Sequence, residues 1–299
     1  MSAEVLALIW AACTGLAQPL WQAALRRLPT PAFLALKWSV AATLFTIWAL
    51  ASGWWRTATL GPGLGYLLAA ALIGPIGAWA LYSAAIRRLD VSVAHPLSNT
   101  SVLISVVIGI VFLGERPPLG PTLLGALLIF AGVYLVQVER PHWQRGGGIS
   151  RLGLGCALGA GFCYGVNNVI WKLGVIGTSV PEALWLRSAV PAVLWLLCWG
   201  TMLAREGGPL GKLPERARLS KAGVGYVLAV ALLSDVLGFT LYFEALAIGD
   251  VAVVAPLGNT APLFSGLVAM LVLHEPVRFW RATGIIACVA GVAFLTAFR

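Results

Sequence analysis

The sequence predicts an all-α integral membrane protein with ten transmembrane helices in two inverted five-helix repeats. Three observations carry that expectation. Apolar residues make up 60% of the 299-residue chain, charged residues only 10%, and the mean hydropathy is +0.90. Apolar runs long enough to cross ~30 Å of hydrocarbon as a helix, about 20 residues each, recur to the C-terminus. Residues 65–115 and 225–275 align without gaps at an offset of 160, with 20 of 51 positions identical.

In hydrocarbon every backbone N–H and C=O needs an internal partner, so only helices or closed barrels span. The runs are continuous rather than alternating over ~10 residues, which selects helices. They fall near 3–25, 31–51, 63–86, 91–113, 118–138, 152–174, 181–203, 222–246, 250–273 and 278–297. The first run has no basic segment before it, and Arg26 and Arg27 follow it. It reads as helix one rather than a cleaved signal peptide. Almost nothing is left for a soluble domain.

The net charge of +9 is spread over short loops with no basic domain, which argues against nucleic acid. Cys13, Cys156, Cys163, Cys198 and Cys288 fall inside the predicted spans, and no thiol pair has metal-ligand spacing. They read as small core residues, so no metal or cofactor is expected. The expected partners are the lipid bilayer, a small-molecule substrate and, if movement is ion-coupled, protons. A monomer and a homodimer both fit.

Lys and Arg set topology. The loops after helices one, three, five, seven and nine hold most of them, including Arg26, Arg27, Arg216, Arg218 and Lys221. The other face holds Arg56, Arg116, Lys172 and Arg299. The charge pattern therefore puts the basic face in the cytoplasm and both termini outside.

The earlier helices repeat as well, at an offset of 150: Cys13 with Cys163, Trp21 with Trp171, Pro31 with Pro181 and Lys37 with Arg187. The added ten residues fall in the loop 204–221. After Glu115 and Glu275 the register slips by one, and Gly125 and Gly132 match Gly284 and Gly291. The chain reads as a duplicated unit, 1–138 and 152–299, joined by a polar linker at 139–151. A unit with an odd number of spans lies upside down relative to its copy, the arrangement of alternating-access transporters.

HPLSNT with LGE (95–100 and 113–115) and APLGNT with LHE (255–260 and 273–275) are each followed by a glycine-containing helix. In these motifs and across nearly its whole length, the chain resembles the drug/metabolite transporter superfamily, specifically its ten-helix EamA-type members. The resemblance implies a multi-pass protein of the cell (inner) membrane that exports amino acids, other metabolites or drugs. Relatives carry nucleotide sugars and sugar phosphates. It also implies cytoplasmic termini, opposite to the charge pattern.

Polar side chains inside spans cost about 2.5–3.5 kcal/mol when charged, so each needs a reason. Trp10, Thr14, Gln18, Trp21 and Gln22 share one face of helix one. Tyr164, Asn168, Trp171 and Lys172 share the matching face of helix six. Two such stripes read as the lining of a shared cavity; interhelical hydrogen bonding with interfacial Trp anchoring is the plainer alternative. Trp79 and Tyr82 match Phe239 and Tyr242, and Asp235 completes the second stripe. Asp235 reads either as a proton carrier or substrate-amine contact, or as a structural partner for a nearby base. Lys37 and Arg187 lie six residues past matched prolines and read as cations near opposite mouths of a pathway, attracting carboxylate or phosphate; snorkelling is the alternative. His95 faces Ala255 in the copy, and a lone His beside a Pro also suits a structural role. Asn99, Thr100, Asn259 and Thr260 follow in-helix prolines and read as mending a structural hinge; a break that exposes backbone to substrate is the alternative. Glu115 and Glu275 read as loop ion pairs or helix caps.

The leading functional expectation is a transporter, an exporter by the resemblance, of a small organic metabolite such as an amino acid. A flippase for a phosphate-bearing lipid, or a sugar-phosphate carrier, is the alternative. A pump for polyaromatic cations fits less well, because helix one has only Glu4 at its tip. An intramembrane enzyme lacks support: there is no paired acidic motif for diphosphate and metal, no HExxH and no GxSxG. A receptor or scaffold would need a ligand or partner domain, and the sequence offers none.

Overall fold

Ten helices long and apolar enough to cross a membrane are present among the described residues. They are α1 (Ala3–Leu25), α2 (Thr30–Ser52), α3 (Leu64–Ile86), α4 (Val93–Phe112) and α5 (Leu119–Val136), then α6 (Arg151–Ile176), α7 (Val180–Ala204), α8 (Lys221–Ile248), α9 (Val251–Val268) and α10 (Phe279–Ala297). The computed structural model describes residues 1–53, 56, 61–86, 88–89, 91–137, 150–206, 220–271 and 279–297. The expected linker, apart from Ser150 and Arg151, lies outside them, as do most of the loop 204–221 and Glu275.

Local chemistry sets several helix ends. Pro31 and Pro181 each stand at the second position of their helices, where no intrahelical N–H is needed. The Ser150 and Ser220 hydroxyls accept from Gly153 N and Gly223 N, capping α6 and α8. Gly53 ends α2 in the left-handed region at φ 71°, which costs glycine little.

The two halves interlock. α1 packs against α8 and α9, and α6 packs against α3 and α4. Each repeat thus lends its first helix to the other, while α2 pairs with α7 and α5 with α10. The duplication is visible at atomic contacts. A methyl group on Gly15 would overlap Ala261 and Phe264; one on Gly165 would overlap Ser101 and Ile104, the same positions in the other copy. The α5–α10 seam is built similarly, since Gly132 leaves room only for Gly284 and Cys288.

α3 and α8 each contain a π-helical stretch, Ile73–Ala78 and Ala231–Gly238, at aligned positions. Pro75 explains the first, because it has no N–H to give the helix ladder. In the second, Asp235 stands where Pro75 would be. Such bulges re-aim side chains and are frequent at functional sites.

Candidate functional site

The π stretch of α8 brings Asp235 inward near the midpoint of its span, fully buried. Two cations meet it there. Lys37 Nζ donates to Asp235 Oδ1 at 2.9 Å and to Oδ2 at 3.0 Å. Arg187 Nη2 donates to Oδ1 at 3.3 Å. Lys37 and Arg187 are only 3% and 4% exposed. Aromatic faces complete the surroundings. Trp38 lies under both cations, at 4.0 Å from Lys37 Nζ and 4.7 Å from Arg187 Cζ. Trp21 faces Lys37 at 4.8 Å, and Phe239 faces Arg187 at 3.2 Å.

This geometry corrects the expectation of one cation near each mouth. α2 and α7 do enter from opposite faces. Six residues beyond the prolines, at 1.5 Å each, is a depth of ~9 Å. The long Lys and Arg stems cover what remains of a ~15 Å half-thickness. Neither head group snorkels outward; both turn in to one carboxylate. The structural-partner reading of Asp235 is the one this arrangement matches.

Two aromatic arms leave the cluster in opposite directions. Towards the face carrying the termini, Phe239 meets Trp10 at 5.3 Å, and Trp10 stacks on Tyr242 at 4.1 Å. The Tyr242 hydroxyl donates to Asn168 Oδ1 at 3.2 Å, and Asn168 Nδ2 donates to Ser105 Oγ at 3.1 Å. Towards the basic face, Trp21 stacks on Trp79 at 5.9 Å with planes 3° apart. Trp79 meets Tyr82 edge-on at 6.1 Å, and the Tyr82 hydroxyl shares a 2.9 Å hydrogen bond with His95 Nδ1. The arms are copies of each other through Phe239/Tyr242 and Trp79/Tyr82. They end differently because His95 is replaced by Ala255, so Tyr242 turns to Asn168.

Several buried polar atoms of the candidate residues lack a hydrogen-bond partner among the described residues: Trp10 Nε1, Thr14 Oγ1 and Arg187 Nη1. Gln18 lies one turn beyond Thr14, half-buried, and Tyr164 lies half-buried one turn before Asn168. Trp171 departs from expectation. It is buried against Phe243 at 5.1 Å, and Phe243 in turn meets Phe239 at 6.1 Å and Tyr242 at 6.5 Å. With the Asn167 amide oriented to satisfy both neighbours, Trp171 Nε1 donates to Asn167 at 2.7 Å, and Asn167 donates to Ala70 O at 2.7 Å. Trp171 thus stands one ring behind the arm of Phe239 and Tyr242, whereas its match Trp21 faces Lys37 and stacks on Trp79 directly.

A second charged cluster ties the halves together at the face carrying the termini. Glu115, after α4, accepts from Val251 N at 2.8 Å and Ala252 N at 2.9 Å, capping α9 of the other repeat. Lys172 lies 3.5 Å from the same carboxylate and donates to the Gly249 carbonyl. The helix-cap reading of Glu115 fits this geometry, with the capped helix in the opposite half. Its counterpart Glu275 lies outside the described residues. After the in-helix prolines, Asn259 Nδ2 donates to Ala255 O at 2.8 Å, and Thr100 and Thr260 donate to the carbonyls of Leu97 and Leu257 at 2.8 and 2.7 Å.

Trp38 and Ser105 were not singled out by sequence. Trp38 follows Lys37, and adjacent helix positions do not face one another, so spacing gave no sign of it. Ser105 did carry a signal, since it repeats as Ser265 at the offset of 160.

Comparison with known proteins agrees with this architecture. The EamA-like transporter family matches residues 1–138 and 151–297. An uncharacterized protein of Pseudomonas aeruginosa is 27% identical over 220 residues, spanning 74% of this chain and 70% of its own length. A protein of known crystal structure superimposes with a TM-score of 0.77 at 19% identity, over 99% of this chain and 95% of that one. At that identity the likeness is one of fold.

Proposed function

Since the chain belongs to the EamA-like transporter family, we propose that it carries a small organic metabolite with an anionic group, such as an amino acid, across the cell (inner) membrane. Movement occurs by alternating access, with the two interlocked repeats rocking about the central cluster, and the net direction is export. The observation that carries this reading is the cluster of Lys37, Arg187 and Asp235 with aromatic arms running from it towards both faces. The cations suit an anionic group, and the rings suit an apolar or aromatic body. Protons are a candidate coupling ion.

Transport by purified protein in proteoliposomes tests this, with a panel of amino acids, organic phosphates and cationic dyes. Uptake or counterflow of at least one amino acid is expected. A folded protein that moves none of the panel overturns the reading. The same cations also suit a phosphate-bearing lipid or sugar phosphate, and selective movement of the phosphates would establish that second reading instead.

A further inference from the structure

The charge count of the central cluster is uneven. Two cations share one carboxylate, and all three side chains are at most 4% exposed. Both Asp235 oxygens are engaged, Oδ1 by Lys37 and Arg187 and Oδ2 by Lys37. Arg187 uses Nη2 for that contact, while its buried Nη1 has no hydrogen-bond partner among the described residues. A buried charge left uncompensated is costly, and aromatic faces offset only part of it. Arg187 is also the cation whose planar fork matches a carboxylate. Phe239 under its guanidinium continues directly into Trp10 and Tyr242.

The geometry points to Arg187 as the docking position for a singly charged carboxylate of the solute, with Asp235 as a fixed internal counter-ion that sets that charge. This rests on the transport reading above and gives it a substrate class. Lys37 neutralises Asp235, and Arg187 contributes the one positive charge left over. A carboxylate brings the cluster to neutrality, with the apolar body against Phe239, Trp10 and Tyr242. A phosphate monoester brings about two negative charges near pH 7 and overshoots. An amine brings none and meets like charge. An amino acid docks through its carboxylate, its ammonium turned towards the ring faces of the wall. Asp235 is a specificity-determining residue on this account: its own charge subtracts from what the solute must supply.

The test uses four ligands that share one ring: phenylacetate, phenylalanine, phenyl phosphate and phenethylamine. Binding to purified protein is read by tryptophan fluorescence, and transport in proteoliposomes is measured separately. Wild type should bind phenylacetate and phenylalanine at least tenfold more tightly than phenyl phosphate, and phenethylamine not measurably. Asp235→Asn should shift the phosphate-to-carboxylate preference by at least tenfold towards phosphate. Lys37→Met, which leaves the cluster neutral, should weaken phenylacetate by at least tenfold. The Lys37→Met/Asp235→Asn double variant restores one surplus charge and should regain phenylacetate binding. That rescue separates charge setting from a purely structural role, and it keeps the test decisive if Asp235→Asn alone does not fold. A double variant no better than Lys37→Met, or a wild type that binds phenethylamine as tightly as phenylacetate, overturns the proposal. Carboxylate-selective binding without transport would sink the transport reading alone. Transport indifferent to solute charge would sink the docking position alone.

Discussion

Asp235 shows how much can depend on one side chain in hydrocarbon. Removing it leaves Lys37 and Arg187 buried together, whereas removing Lys37 leaves a neutral Arg187–Asp235 pair. Breaking a buried ion pair by deleting one partner costs about 3–5 kcal/mol. Asp235→Asn should therefore lower the thermal midpoint in detergent clearly more than Lys37→Met; equal midpoints would mean that the carboxylate does not hold the cations. Trp10 offers a second test at this scale. Its ring packs on both Phe239 and Tyr242, which also meet each other at 5.9 Å, so Trp10→Ala strips aromatic surface from the arm towards the face carrying the termini without severing it. An aromatic pair contributes about 0.5–1.5 kcal/mol beyond burial. Solute affinity should fall by roughly tenfold while the cluster stays intact, and unchanged binding would remove Trp10 from the pathway.

At the scale of helices, contacts between the halves are made by small residues and by borrowed caps. Glu115 supplies a carboxylate to the first amides of α9, which belongs to the other repeat. Hydrogen bonds to a charged group contribute about 1.5–3 kcal/mol each. Glu115→Ala should lower stability by a few kcal/mol and speed hydrogen exchange at Val251 and Ala252; continued protection there would show that the cap is not limiting. Lys172 is part of this tie, and its matched residue Gln22 is exposed. The tie's ionic component is thus not reproduced at position 22. The α5–α10 seam makes a steric prediction. Gly132→Leu should abolish the folded peak in size-exclusion chromatography, because Gly284 and Cys288 fill the space. Gly120→Leu, at the second residue of α5 with open space around it, should not. Loss of both, or of neither, would show that close approach is not what the seam needs.

For the whole molecule, duplication makes inversion a counting matter. Five spans per repeat place corresponding helices in opposite senses, and ten place both termini on one face. The charge pattern puts that face outside. A reporter fused after Arg299 should be active outside the cytoplasm, and cytoplasmic activity would reverse the orientation. The proposed rocking about the cluster requires that two bodies separate at one face while they close at the other. The exchange of α1 and α6 between repeats means that, in the proposed rocking, each body would contain helices from both halves of the sequence.

The sequence by itself determined the number of spans, their helical nature, the duplication and which residues match across it. Those follow from hydropathy and spacing, which are local or register properties. It also picked out Lys37, Arg187 and Asp235 as residues needing a reason. Only the tertiary structure decided that the reason is shared. Lys37 and Asp235 are 198 residues apart, and nothing local records that α2, α7 and α8 meet at one depth. It likewise separated Trp171 from Trp21, which the duplication treats as equals: Trp171 packs on Phe243 and Trp21 on Lys37 and Trp79, because neighbours rather than alignment decide what a ring touches. Matching sequence fixes where a side chain starts along its helix. Packing against the other repeat fixes where it ends.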